Sequence, residues 1–255
     1  MTPEICPVQS VEQAARNIYV LTFISERIAG SVRAGQFVNV RPDDRSVPLL
    51  RRPFSIYAVE GNRVQLIFHV VGRGTALLSG KREGDTIDVL GPLGQPFNLD
   101  DGPFETAALI AGGLGVAPLP LAARRLRARG TRVVTLLGAR TASVLVDRHF
   151  PDAYLATDDG SRGFRGNVVD LAERTLSQFS PGRMKIFSCG PIPMLRALQA
   201  YALRAAIPCD ASLEGVMGCG FGICQGCPVE LVNSSRKYAL MCKDGPVFDM
   251  ASIRI

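Results

Sequence analysis

The chain has no long hydrophobic run. Its most apolar stretch, Ala107 to Ala123, is interrupted by Gly112, Gly113, Gly115, Pro118 and Pro120, and it falls short of the roughly 20 residues a membrane helix needs. Met1 to Ser10 lacks a basic segment followed by an apolar one, so no secretory signal is expected. These two absences lead us to expect a soluble, cytoplasmic chain without a membrane partner. Histidine is scarce: His69 and His149 are the only two. Neither sits in an evident triad, so no acid–base catalytic residue is expected. Blocks of like charge are missing too. The formal charge is +6 and the isoelectric point is near 9.1, yet Arg and Lys are scattered. The densest group, Arg124, Arg125, Arg127 and Arg129, reads as the solvated face of a helix rather than a nucleic-acid surface. Internal repeats and low-complexity tracts are absent.

What is present divides into three parts. At roughly 100–200 residues per domain, this length allows two domains, or two and a small appendage. Residues 1–99 read as all-β, with apolar runs at Ile18–Phe23, Gln36–Val40, Val64–Val71 and Thr86–Leu90. Turn-rich stretches such as Glu60-Gly61-Asn62 and Arg82–Asp85 separate them, a pattern that suggests an antiparallel barrel or sandwich. One short helix is expected over Thr75–Lys81. A linker is expected at Asp100–Pro103, opening a second part over residues 100–206. Its strands (Thr106–Ala111, Arg132–Leu137, Ala153–Thr157, Lys185–Cys189) alternate with helices near 118–129, Val168–Phe179 and Pro191–Ala205. That alternation indicates a parallel sheet wound by helices. Residues 207–255 break the rhythm and carry most of the cysteines. The fold class expected is therefore multi-domain: an antiparallel β-barrel, a parallel α/β domain and a small C-terminal subdomain.

Four of the seven cysteines lie at Cys219, Cys224, Cys227 and Cys242, with spacing C-x4-C-x2-C-x14-C. This is plant-type [2Fe–2S] spacing. Gly218, Gly220, Gly222 and Gly226 let the loop turn tightly and bring backbone N–H groups close to sulfur. A zinc site is the competing reading, although zinc ribbons usually use two separated C-x2-C pairs and only one is present here. Cys6 and Cys209 read as small core residues.

Other motifs are weak one at a time. Arg51-Arg52-Pro53-Phe54-Ser55 offers an arginine for a pyrophosphate and a hydroxyl for a flavin edge. Gly72-Arg73-Gly74-Thr75 precedes a helix and could present free N–H groups to phosphate. Gly112-Gly113-Leu114-Gly115-Val116-Ala117-Pro118 joins a strand to a helix and meets the dinucleotide fingerprint only in part. Asp158-Asp159 follows a strand and could accept ribose hydroxyls, favouring NAD over NADP; a solvated turn reads the same way. Cys189-Gly190-Pro191 ends another strand.

In this order the motifs resemble the ferredoxin-NADP reductase superfamily. With Cys242-Lys-Asp-Gly-Pro-Val-Phe248 they resemble, over nearly the whole chain, the electron-transfer subunits of class 1B, NAD-linked dihydroorotate dehydrogenases. The resemblance implies FAD lined by Arg52, Pro53, Phe54, Ser55, Ile67, Phe68, His69, Gly74 and Thr75. It implies NAD as electron acceptor, facing Gly112, Gly113, Gly115, Pro118, Asp158, Asp159, Cys189, Gly190 and Pro191. It further implies a partner subunit that holds FMN and oxidises dihydroorotate in pyrimidine (UMP) biosynthesis, in a heterotetramer of two plus two. A cluster takes electrons singly and nicotinamide takes a hydride, so the carrier order is FMN, cluster, FAD, NAD⁺. One departure stands out. Phe68-His69 replaces a Tyr-Arg pair common in the family, removing a fixed charge that Arg73 could supply. Two alternatives remain: a diaphorase-like subunit of a hydrogenase or other flavin-based NAD(P)H oxidoreductase, and a zinc-stabilised binding module.

Overall fold

The structure is a computed structural model that describes residues 2–43, 49–100 and 102–255. Asp101, within the expected linker, lies outside the described residues. Six strands open the chain: β1 (Glu4–Ala15), β2 (Ile18–Ile24), β3 (Phe37–Arg41), β4 (Arg52–Glu60), β5 (Arg63–His69) and β6 (Thr86–Leu93). They close into an antiparallel barrel in the order β1-β2-β5-β4-β3-β6. Closure removes the exposed sheet edges an open meander would leave. Two short helices pack against it, the first on β5 and β6 and the second on β2. The first, α1 (Glu26–Ser31), is capped by Ser25, whose Oγ accepts from the Ile28 N–H at 3.1 Å. The second, α2 (Arg73–Ser79), starts two residues before its expected position. Thr75 explains this, because its Oγ1 accepts from the Val71 and Gly72 N–H groups and holds the first turn.

The second part has β7 (Thr106–Gly112), α3 (Leu119–Ala128), β8 (Arg132–Ala139), β9 (Tyr154–Thr157), β10 (Phe164–Arg165), α4 (Val168–Leu176), β11 (Met184–Cys189), α5 (Ile192–Arg204) and β12 (Cys209–Ser212). Then follow β13 (Pro228–Leu231), β14 (Tyr238–Leu240), β15 (Val247–Asp249) and β16 (Ile253–Arg254). The large sheet runs β10-β9-β8-β7-β11-β12-β15, parallel except for β15. The chain winds outward from β7 through β8, β9 and β10, then returns to β11 on β7's other side. That reversal between β7 and β11 is the switch point where ligands bind in open α/β sheets. The sheet also runs past the expected 206/207 boundary, since β12 pairs with β11 and β15 is drawn from the cysteine-rich segment. Strands β14-β13-β16 form a small separate sheet.

β7 is buried along nearly its whole length, as a central parallel strand must be. Its alternate residues serve two cores. Ala107, Leu109 and Ala111 join the core shared with α3 and the barrel. Ala108 and Ile110 join the core under α4, α5 and the C-terminal segment, including Phe248. The tail docks on the barrel end: the Gln95 N–H donates to the Gly245 carbonyl at 2.6 Å, and Gln95 Nε2 to the Lys243 carbonyl at 3.2 Å.

Candidate cluster, flavin and nucleotide sites

The cysteine loop leaves α5's sheet after β12 and returns through β13 and β14. Cys227 and Cys242 are buried against Phe37, Leu90 and Leu93 of the barrel, and their sulfurs are 3.3 Å apart. The Cys219 sulfur accepts from the Cys224 N–H at 3.4 Å. Burial works against the Cys219 thiolate. The N–H groups of Cys224, Phe221 and Ile223 and the Cys224 side chain outweigh it, bringing the thiol down to about 6. Burial, then the neighbouring Cys227, pushes Cys242 up to about 12. Cys227 and Cys242 thus meet sulfur to sulfur, and Cys224 meets the Cys219 sulfur through its N–H. Among the described residues no three His, Cys, Asp or Glu converge tightly enough to grip one metal ion. A single tetrahedral zinc would draw all four sulfurs to within about 3.8 Å of one another. Four cysteines at plant-type spacing, with N–H groups aimed at the Cys219 sulfur, fit a two-iron cluster held by four thiolates.

On the barrel, residues 51–55 are all half-buried, whereas 56–59 are buried. The start of β4 therefore remains open to a ligand. Arg52 crosses the first turn of α2, where a Cβ on Gly74 would stand 2.6 Å from its Nε. This places the guanidinium beside Gly74 and Thr75. Arg51 is committed elsewhere, bidentate to Asp88 at 2.9 and 2.6 Å. Phe68 packs against Phe54, with ring centroids 5.6 Å apart, and against Tyr19. Ile67 is buried beside it.

At the sheet switch point, a cavity of about 820 Å³ is lined by His69, Gly112, Gly113, Asp158, Pro191 and Glu214, among others. The glycines are required here. A Cβ on Gly115 would collide with the Cys189 carbonyl and stand 2.6 Å from the Gly190 nitrogen. One on Gly112 would meet Met194 Sδ at 2.6 Å and Pro191 Cδ at 3.1 Å. The two motifs interlock because Ala111 and Cys189 are partners across β7 and β11. Gly115 and Pro118 are buried in this support. Cys189 is fully buried, and its thiol, pushed well up by burial and then by Glu214, donates to Glu214 Oε1 at 3.8 Å. Although Glu214 is exposed as a whole residue, its carboxyl is crowded by protein, and that burial raises it above the usual carboxylate range. Asp158 faces the cavity. Asp159 does not: its Oδ1 accepts from the Ser161 Oγ at 2.6 Å and N–H at 3.0 Å, and these bonds hold it below the usual range.

A family model for the iron-sulfur cluster binding domain of dihydroorotate dehydrogenase B matches residues 214–254. The chain is 41% identical over 249 residues to the dihydroorotate dehydrogenase B (NAD(+)) electron transfer subunit of Geobacillus kaustophilus (strain HTA426), covering 94% of each chain. The chain belongs to this family of electron transfer subunits. The subunit of Bacillus velezensis (strain DSM 23117 / BGSC 10A6 / LMG 26770 / FZB42) is 38% identical over 256 residues, covering 97% of each. A solved structure of an NADH-dependent reduced ferredoxin-NADP oxidoreductase, studied for flavin-based electron bifurcation, superposes with a TM-score of 0.84 at 29% identity. It covers 98% of this chain and 89% of that one. Three candidate site residues escaped the sequence reading. Arg140 and Glu214 line the cavity just beyond β8 and β12, and a charged residue at the carboxyl end of a parallel strand was the available signal. Asn39 is the third. It is a lone amide in the apolar run Phe37-Val38-Asn39-Val40, and its Nδ2 donates to the Cys219 carbonyl at 2.9 Å.

Proposed function

We propose that this chain is the electron-transfer subunit of an NAD-linked dihydroorotate dehydrogenase, acting in pyrimidine biosynthesis with FAD, a [2Fe–2S] cluster and NAD. The observation that carries the reading is the set of four cysteines brought together at the barrel end, in a chain 41% identical to a subunit of that name. When bound, the cluster supplies single-electron transfer and FAD links it to the hydride chemistry of nicotinamide.

The chain's own residues bind, orient and exclude water. Cys219, Cys224, Cys227 and Cys242 would hold the cluster. Arg52, with Gly74 and Thr75 at the start of α2, would neutralise a flavin pyrophosphate. Pro53, Phe54 and Ser55, backed by Ile67 and Phe68, would form the wall beside the flavin rings, with His69 reaching the cavity. Gly112 and Gly113, held by Gly115 and Pro118, would let the nicotinamide nucleotide lie against backbone opposite Cys189, Gly190 and Pro191. Asp158 would accept ribose hydroxyls, with Asp159 shaping the turn.

The partner would be an FMN-containing dihydroorotate dehydrogenase subunit, in a two-plus-two heterotetramer. Val216, Phe221 and Ile223 support a docking face at the cluster, being 89%, 40% and 76% exposed around the exposed Cys224. Among the described residues no helix is long and apolar enough to cross a membrane.

The test is Cys224→Ser in the purified chain. The expected result is loss of cluster iron and of electron exchange with the FMN subunit, while NADH still reduces FAD. Exchange at the wild-type rate in that variant would defeat the proposal.

A further inference from the structure

We propose that Asn39 is a positioning residue that pins the cluster-ligand loop to the flavin strand and so sets the gap electrons must cross. This rests on the functional reading above. Asn39 is 1% exposed, between Val38 and Val40, which are fully buried. Burying an amide there carries a cost unless it is hydrogen-bonded. Its Nδ2 spends that bond on the main chain of a cluster ligand 180 residues away. Its Oδ1 is buried with no partner, so the barrel interior does not account for the side chain.

Two further observations fix the role. In the barrel register Asn39 is the direct partner of Pro53, at the centre of the flavin-facing run on β4. A path from Cys219 to that run therefore crosses one hydrogen bond and one strand pair. On the other side, Gly220 has φ +83° and no room: a Cβ would collide with the Asn39 amide. The loop thus approaches as closely as backbone permits, and only a glycine follows the ligand. Gln95 ties the tail at Lys243 and Gly245, and Asn39 ties the ligand loop itself. Electron transfer falls off exponentially with distance, so a loosened loop changes rate without changing which cofactors bind.

The experiment uses the full chain loaded with FAD and cluster, mixed anaerobically with NADH in a stopped-flow instrument. NADH is the reductant. Its hydride carries two electrons to the flavin; the cluster takes one, with no bond made or broken, and the other remains on the flavin. Asn39→Leu keeps the branched shape and the number of heavy atoms and deletes the donor, whereas Asn39→Gln keeps the donor. We expect Asn39→Leu to hold wild-type flavin and iron and to show wild-type flavin bleaching, with cluster bleaching slowed on the order of ten-fold. Asn39→Gln should recover part of that loss. Wild-type cluster bleaching in Asn39→Leu, or Asn39→Gln no faster than Asn39→Leu, overturns the assignment. If Asn39→Leu assembles no cluster, hydrogen–deuterium exchange over residues 217–224 decides in FAD-loaded, cluster-free chains. Faster exchange than in the wild type supports the pin, and equal exchange overturns it. A wild-type cluster that NADH never reduces would defeat the functional reading instead.

Discussion

Lys185→Met tests how the three parts are held together. Lys185 on β11 and Asp210 on β12 are only 7% and 8% exposed, with Nζ 2.9 Å from Oδ2. Nζ also donates to the Asn98 carbonyl at 3.2 Å and lies 5.3 Å from the Phe187 ring centroid. Asp210 faces Asp249 across the β12–β15 pair. The ion pair therefore sits where the segment leaving the barrel after β6, the nucleotide sheet and the cluster segment meet. Methionine preserves the length of the stem and removes the charge, leaving Asp210 buried without its partner. Breaking a buried pair this way costs about 3–5 kcal/mol. At about 2–4 °C per kcal/mol for a chain of this size, Tm should fall by about 6–20 °C. The pH dependence has a definite sign. Burial raises the Asp210 carboxyl above its usual range, Lys185 pulls it down and Asp249 pushes it up. Without Lys185 the folded value rises further. A carboxyl whose folded value lies above its unfolded value favours the fold below the unfolded pKa, and that contribution is lost as pH rises through the folded one. The deficit of Lys185→Met should therefore be smaller at about pH 5 than at about pH 7.5. Thermal unfolding of the cofactor-loaded chain at both values measures it, and Lys185→Met/Asp210→Leu should regain most of the loss. A deficit under about 1 kcal/mol, the scale of exposed pairs, or one equal at both pH values, would refute the reasoning.

Two other substitutions address the nucleotide cavity. Gly115→Ala forces a methyl onto the Cys189 carbonyl, which is backbone and yields poorly, so we expect a stability loss of about 1–3 kcal/mol and a raised KM for NADH. An unchanged Tm and KM would contradict the interlocked turn. Asp158→Ala should raise the KM for NADH about ten-fold or more, from the loss of charge-assisted hydrogen bonds worth about 1.5–3 kcal/mol. NADPH should change far less. Asp159→Ala should have the smaller effect of the two, because its carboxylate is engaged by Ser161; equal effects would show that the wrong aspartate faces the ribose.

Much of the architecture was legible because its signals are local. The alternation of apolar runs with turns marked the barrel strands β2, β3, β5 and β6, and Thr106–Ala111 read as a strand from its unbroken apolar character. β1 was missed because Glu4–Ala15 has no regular apolar–polar alternation: Ile5 and Pro7 are exposed beside buried Cys6 and Val8. α1 was missed because six residues give no helical period. α4 ends at Leu176, three residues before its expected end, where the chain turns at Ser177–Phe179. Asp158 and Asp159 are adjacent in sequence and chemically identical. The Ser161 hydroxyl and N–H, brought round by the Gly160 turn, distinguish their surroundings.

The sequence by itself determined the donors: four thiolates at fixed spacing, glycines where backbone must pass close, and an arginine-led strand beside a glycine-led helix. Those properties travel along the chain within a few residues. Tertiary structure alone decided the partners. It set Gly115 against Cys189, Glu214 against the Cys189 thiol, β15 onto the nucleotide sheet, and Asn39 onto the carbonyl of a ligand 180 residues distant. Such contacts depend on how sheets stack and where a barrel closes, and no local pattern of residue types encodes that.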